Sequence, residues 1–231
     1  MSKTSPIVLI LGAGPNIGQS VTRAFKEKGY RVALASRRAE EAESTSDEIY
    51  IPSDFSDSGA IVNIFSKVKA LLGIPSVVVY NASAVTFTPP DDPLSLSLAD
   101  FDQHLKINTV SPFVAAQQAA TGFAELPDTA SRTFIYTGNL LNTVTVPKFF
   151  DLGVGKSATA QIIEYAATAY KDRGFKFYYG DERNADGSPM YTGLSGEAHA
   201  KLYVELAEGK TQGPWQQTFV NGVGYKHFPV A

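Results

Sequence analysis

The sequence predicts a doubly wound α/β domain, a parallel sheet with helices on both faces. Three observations carry that prediction. Apolar runs without alternation, such as "PIVLILGAG" and "PSVVVYNAS", read as strands buried on both faces. They alternate with helical patterns of ten or more residues, which implies crossover connections between parallel strands. The first run ends in a glycine-rich turn that opens a helix, and ligands on such sheets sit at the carboxyl ends of the strands. The 231 residues suffice for one domain, 1–231, with a substantial core.

Each element follows in order. "PIVLILGAG" is the first strand. "NIGQSVTRAFKEKG" places Ile17, Val21, Ala24 and Phe25 at helical spacing, and Gly29 closes that helix. "YRVALAS" is the second strand and "RRAEEAESTSDE" a short polar helix or loop. "IYIPSDF" is the third strand, followed by a helix through "AIVNIFSKVKALLG"; "PSVVVYNAS" is the fourth. A long helix covers "LADFDQHLKINTVSPFVAAQQAATGF", bent or broken near Pro112 because proline lacks the N–H and clashes with the preceding turn. "SRTFIYTGN" is the fifth strand, "GKSATAQIIEYAATAYKDRG" a helix, and "FKFYYG" the sixth strand. "SGEAHAKLYVELAEG" is a helix with Ser195 as its N-cap, and "WQQTFVNG" a final strand, giving about seven in all.

Composition narrows the function classes. The net charge is -3 and the basic residues are scattered, which argues against a nucleic-acid partner. With no cysteine, disulfides and thiolate metal sites are excluded. His104, His199 and His227 lie far apart without metal-ligand spacing, so no metal is expected. The N-terminal apolar run is too short for a signal segment or a membrane span, and a soluble, cytoplasmic protein acting on a small molecule is the plain reading.

"GAGPNIG" joins the first strand to the first helix, with Gly12, Gly14 and Gly18 at G-x-G-x-x-x-G spacing. Gly12 permits a tight turn, small residues let the backbone approach a pyrophosphate, and the helix N-terminus supplies N–H donors and a favourable dipole. This is the dinucleotide-binding, Rossmann-type arrangement. The second strand ends in "ALASRR", where an acid would bond the ribose hydroxyls of NAD. No acid stands there. Arg37 offers planar, charge-assisted donors to a 2′-phosphate, which favours NADP(H).

With these residues in hand, the chain resembles the short-chain dehydrogenase/reductase family over nearly its whole length. "GAGPNIG" looks like that family's T-G-x-x-x-G-x-G turn, with Asn16 where the middle glycine stands and Ile17 beside it. Asp54, with Phe55, looks like the acid after the third strand that binds the adenine amino group. Asn81 and Ala82 match the N-N-A-G motif after the fourth strand, while Tyr80 and Ser83 depart from it. The resemblance implies that Asn108 supports a water-linked proton relay and that Lys156 holds the nicotinamide ribose. It also implies dimers or tetramers formed through the fourth and fifth helices, and the small residues of "VAAQQAATG" and "SATAQIIEYAATAY" are compatible with close packing there.

The departures lie in the expected catalytic centre. The family's tyrosine stands four residues before the lysine, on the same helix face; here that residue is Leu152. The family's serine, thirteen residues before the tyrosine, is here Asn139. A wider Y-x6-K spacing would need tyrosine at 149, which is Phe149. A positioned general acid contributes about 10²- to 10⁴-fold, so an unassisted alkoxide is disfavoured. Three readings follow. The protein is an NADP(H) reductase that takes its proton elsewhere, with Tyr136, Tyr178, Tyr179 and Tyr191 as candidates. Or it reduces a substrate that needs little acid, such as an iminium. Or it binds the cofactor without redox turnover, as a sensor, partner-binding protein or scaffold. The resemblance places a substrate lid at about 181–210, where Met190 and Tyr191 are the apolar contacts and Asn139 and Leu152 the facing wall.

Overall fold

The computed structural model describes residues 5–228. Its strands are β1 (Ile7–Leu11), β2 (Arg31–Ser36), β3 (Glu48–Pro52), β4 (Val77–Tyr80), β5 (Thr133–Thr137), β6 (Lys176–Glu182), β7 (Gln216–Val220) and β8 (Gly224–Tyr225). They form one sheet in the order β3-β2-β1-β4-β5-β6-β7-β8, parallel except for the β7–β8 pair. The doubly wound fold expected from the sequence is therefore present. Leu11 stands beside both Ala35 and Tyr80, so β1, β2 and β4 end together at one edge of the sheet.

The period of two along β1 divides the core. Ile7, Leu9 and Leu11 belong to one apolar cluster, Val8 and Ile10 to the other. Helices α1 (Ile17–Glu27) and α6 (Gly196–Glu208) cover the second cluster. Helices α2 (Ser58–Leu71), α4 (Ser111–Phe123) and α5 (Phe150–Ala169) cover the first. Side chains cap the starts: Asp57 accepts from the Gly59 amide, and Ser195 from the Ala198 amide as the sequence predicts.

The long helix expected over 98–123 is α3 (Leu98–Leu105), a π-helical turn at Lys106–Val110, and α4. The bend thus lies one turn before Pro112. Proline has no N–H for the carbonyl four residues back, which is that of Asn108. That carbonyl instead accepts from the hydroxyls of Thr159 (2.6 Å) and Tyr136 (3.2 Å), and the Ile107 carbonyl accepts from Tyr80 (2.7 Å). Tyr80 stacks on Tyr136, and Tyr136 meets Tyr179 at a tilt, across neighbouring strands, with ring centres 5.8 and 5.6 Å apart.

Several boundaries differ from the sequence reading. Among the described residues there are eight strands rather than about seven; β8 is a two-residue antiparallel return, too short for any periodicity, made by a turn with Gly222 and Gly224 at positive φ. β6 continues through Asp181 and Glu182, which the sequence assigns to the lid, because β7 pairs with both. α5 begins at Phe150 rather than Gly155; Gly153 and Gly155 hide its first turn from a propensity argument. A Cβ on Gly155 would lie 2.5 Å from the Asn108 Cβ, so this glycine lets α5 close onto the π turn.

Candidate active site

The glycine turn packs against the ends of three strands. Gly12 has φ +99°, and a Cβ there would lie 2.4 Å from the Ala82 amide nitrogen. The Gly12 amide donates to the Ala35 carbonyl (2.9 Å), and the Asn81 amide side chain donates to the Gly12 carbonyl (2.9 Å). Gly14 has open space on its Cβ side, whereas a Cβ on Gly18 would strike the Ala13 backbone at 2.8 Å. One glycine thus serves the turn, one leaves room above it, and one lets the helix settle. No acidic side chain stands in the first turn of α1; the Gln19 amide donates to the Gly14 carbonyl (3.0 Å), which leaves the Ile17 and Gly18 amides as the donors ahead of it. Open space over Gly14 and free amide donors without a competing carboxylate fit the diphosphate of a dinucleotide. Asn16 does something a glycine could not: its side-chain nitrogen donates to the Leu194 carbonyl (2.9 Å), tying the turn to the lid segment. Ile17 is buried as the first residue of α1.

A cavity of about 470 Å³ lies on one side of this turn, between Arg37, Asp54, Phe55 and Ala82. Arg37 is exposed and makes no ion pair among the described residues, so its guanidinium is available. The Ser56 amide donates to Asp54 (2.9 Å), and this bond, with a smaller pull from Arg37, holds the Asp54 carboxyl below the usual range. Phe55 is fixed beneath, its carbonyl accepting from the Ser111 hydroxyl (2.8 Å).

A second cavity of about 440 Å³ adjoins the first across Gly14, Asn81 and Ser83. Lys156 and Leu152 stand in its wall one helical turn apart, with Asn139, Met190 and Tyr191 around them. Lys156 is buried; its Nζ donates to the Thr137 carbonyl (2.7 Å) and sits 4.5 Å from the Tyr136 ring centre. Burial pushes the ammonium down to about 7, with Asp181 pulling it back up. The Asn139 side-chain oxygen accepts from the Leu141 amide (3.1 Å), while its backbone is held at both ends by the Tyr179 hydroxyl (3.1 and 2.8 Å). Asn108 lies behind this wall. Its side chain clamps Ala84, donating to the carbonyl (2.7 Å) and accepting from the amide (3.0 Å), and its own carbonyl is taken by Thr159 and Tyr136.

Three of the four candidate tyrosines are committed elsewhere. Tyr136 donates to Asn108, Tyr179 to Asn139, and Tyr178 to Thr211 (3.3 Å) on the opposite core. Burial raises all three phenols. Only Tyr191 of the four lines the cavity, half-exposed and stacked on Phe149 with ring centres 6.0 Å apart.

The structure also assembles charged groups, of which the sequence offers only "DER", 181–183, either as charges near the pocket or as a solvated loop end. Asp181 pairs with Arg183 (2.7 Å), and burial still pushes its carboxyl up to about 6. Glu182 lines the cavity with its side chain fully buried; the Ser195 amide donates to Oε2 (2.8 Å) and His199 Nδ1 lies 3.4 Å from it, while Oε1 has no partner. Burial holds His199 neutral, near 4. His104 and Asp151 form a buried pair, and Asp151 also accepts from the Thr86 amide (3.0 Å), which seats the start of α5. The signal in the sequence was "DER" at the end of an apolar run, where charges on a buried strand require partners. Among the described residues no group of three or more His, Asp or Glu could hold a metal, and no helix is long and apolar enough to cross a membrane.

A sheet wound in this order, with a glycine turn at the edge of β1 and a buried lysine across the cleft, defines a dinucleotide-binding oxidoreductase fold. The family profile of short chain dehydrogenases matches residues 6–175, and the chain belongs to the short-chain dehydrogenase/reductase family of oxidoreductases. It is 50% identical to "Short chain dehydrogenase/reductase dmxR12" of Cryptosporiopsis sp. (strain 8999), covering 98% of this chain and 96% of that protein. Among solved structures, BdcA in complex with NADPH superposes with a TM-score of 0.73 at 20% identity, covering 97% of both chains. A metagenomic short-chain oxidoreductase in complex with NADP gives 0.76 at 19% identity, covering 93% of this chain and 98% of that one.

Proposed function

We infer that the protein is an NADP(H)-dependent reductase of a small organic carbonyl, imine or activated alkene, working from a non-standard centre. The observation that carries this reading is the pairing of a complete dinucleotide cradle with a cavity in which Leu152 stands one turn before Lys156. The cofactor, when bound, supplies the hydride. The leading amides of α1 take the diphosphate, Arg37 the 2′-phosphate, Asp54 the adenine side and Lys156 the nicotinamide ribose. Two structural neighbours are complexes with NADPH and with NADP, in keeping with Arg37.

Leu152 cannot give a proton, and Asn139 can only donate a hydrogen bond through its amide nitrogen. The exposed Tyr191 hydroxyl is the tyrosine able to reach a substrate in this cavity. The apolar wall of Leu140, Val146, Phe149, Leu152 and Met190 keeps water from the reacting centre and suits a hydrophobic substrate. A second reading, cofactor binding without turnover, is favoured by the same commitment of Tyr136, Tyr178 and Tyr179 to backbone carbonyls.

NADPH consumption against ketone, imine and enone panels tests the reading for the wild type, Leu152→Tyr, and Leu152→Tyr with Asn139→Ser. Turnover of activated substrates by the wild type, with ketone reduction gained in the double variant, is the expected result. Tight NADPH binding with no turnover of any substrate transfers the conclusion to the non-redox reading.

The same proposal extends to assembly. α4 and α5 leave Phe113 and Tyr165 exposed beside a groove of about 760 Å³ lined by alanines, a face suited to a second copy of the chain. A homodimer or homotetramer is expected in sedimentation equilibrium, and a monomer at micromolar concentration would count against it.

A further inference from the structure

The lid hangs on few bonds. At its start the Asn184 side chain donates to the Pro189 carbonyl (3.1 Å), and at its end the Ser195 amide donates to Glu182 (2.8 Å). Residues 190–194, between those points, form no helix or strand. Among the described residues one hydrogen bond reaches them, from the Asn16 side-chain nitrogen to the Leu194 carbonyl (2.9 Å). A segment with so few bonds opens easily.

The other end of that bond is firmly held. The start of α6 rests on the start of α1: a Cβ on Gly196 would lie 2.9 Å from the Asn16 carbonyl oxygen and 2.5 Å from the Ser20 Oγ, so a glycine lets the two helices meet. Glu197 accepts from the Ser20 hydroxyl (3.3 Å) and pairs with Arg23. Asn16 therefore stands where a rigid joint, the cofactor turn and the lid come together. The Ile17 and Gly18 amides follow it directly in the chain. Pro15, Asn16 and Ile17 line the same cavity as Met190, Tyr191 and Leu194. The family's turn has a glycine at this position, with no side chain to reach a lid.

We propose that Asn16 is a positioning residue that couples cofactor to lid: a dinucleotide on the turn and a lid closed over the cavity each stabilise the other through its bond to Leu194. A diphosphate on the next two amides fixes the Asn16 backbone and reduces the freedom lost when its side chain bonds Leu194. The held lid in turn keeps Met190 and Tyr191 in the cavity wall. By linkage the effect is equal in both directions. One exposed neutral hydrogen bond sets its size at about three- to tenfold. The inference deepens the reductase reading, and rests on it in taking the glycine turn as the dinucleotide site.

The chain has no cysteine, so Thr192→Cys, exposed on the lid, gives a single site for a nitroxide label. Electron paramagnetic resonance of the full labelled chain, free and saturated with NADPH, reads the ratio of ordered to mobile label, and calorimetry reads NADPH affinity. With Asn16 present, NADPH should raise that ratio about three- to tenfold. In Asn16→Ala the rise should fall below about twofold, and NADPH affinity should weaken by up to the factor lost. Arg23→Ala, which breaks the neighbouring ion pair without touching residues 190–194, should behave as the wild type. Asn16→Gly repeats the trial with a residue that any backbone conformation admits, should the methyl strain the turn. An equal rise with and without the Asn16 side chain overturns the proposal. So does a lid that NADPH leaves unchanged or loosens; loosening would show that the dinucleotide takes the Asn16 amide for itself. A wild type that binds no NADPH in calorimetry sinks the cofactor reading and the coupling together, whereas NADPH binding without lid ordering sinks this inference alone.

Discussion

Lys156 is a buried cation whose removal should stabilise the protein while harming its site. Its ordinary value of 10.5 falls to about 7 on burial, a difference worth about 5 kcal/mol against the charged form. At neutral pH folding must therefore either bury the ammonium or release its proton. Lys156→Met keeps the length and removes that cost, but loses the bond to the Thr137 carbonyl, worth about 1–2 kcal/mol, and the contact with the Tyr136 ring. The net expectation is a gain of about 2–3 kcal/mol at pH 7. The pH dependence fixes the origin. Between the folded value near 7 and the unfolded value of 10.5, the unfolded chain holds more protons, so wild-type stability rises with pH across that window. Between pH 7 and pH 9 the advantage of the variant should shrink by about 2 kcal/mol. Asp181, pushed up to about 6, titrates below this window and does not confuse it. Urea unfolding of both proteins at the two pH values measures the effect. A variant less stable than wild type at pH 7, or a difference that does not change with pH, would refute the account of Lys156 as a strained buried cation.

Other outcomes follow from single contacts. Arg37→Ala should lower NADPH affinity about ten- to hundredfold and leave NADH affinity nearly unchanged, because one charge-assisted phosphate contact is worth about 1.5–3 kcal/mol; calorimetric titration of both cofactors reads this. Gly12→Ala must set a methyl 2.4 Å from the Ala82 nitrogen at φ +99°, and should cost about 3 kcal/mol, seen as a melting temperature lower by roughly 6–12 °C. Asp151→Ala leaves His104 and the Thr86 amide without their buried acceptor and should cost about 3–5 kcal/mol in urea unfolding. The lid, with its loop composition at 183–194, should gain amide protection when NADPH and a substrate analogue bind together; strong protection already in the free protein would refute that.

Part of this molecule was written locally. The apolar runs, their alternation with helical spacing, the glycine turn and the Ser195 cap each depend on residues within one or two turns of one another. Such features are set by backbone sterics and side-chain period, which a sequence displays directly. The same holds for the absence of a hydroxyl at Leu152, one turn from Lys156.

The site's electrostatics were decided at long range. Pro112 announced a bend, but the hydroxyls that make the bend tolerable come from Tyr136 on β5 and Thr159 on α5. Those bonds also removed Tyr136 from the candidate proton donors, and equivalent ones removed Tyr178 and Tyr179. Asn16 looked like a replaced glycine until the lid residue Leu194 stood beside it. Glu182 read as one charge in a loop; pairing of β6 with β7 drew it into the sheet and buried it with an oxygen to spare. A sequence fixes which groups exist and how their neighbours in the chain constrain them. Which donor meets which acceptor, and which is left without one, depends on distances that only the packed sheet and its helices set.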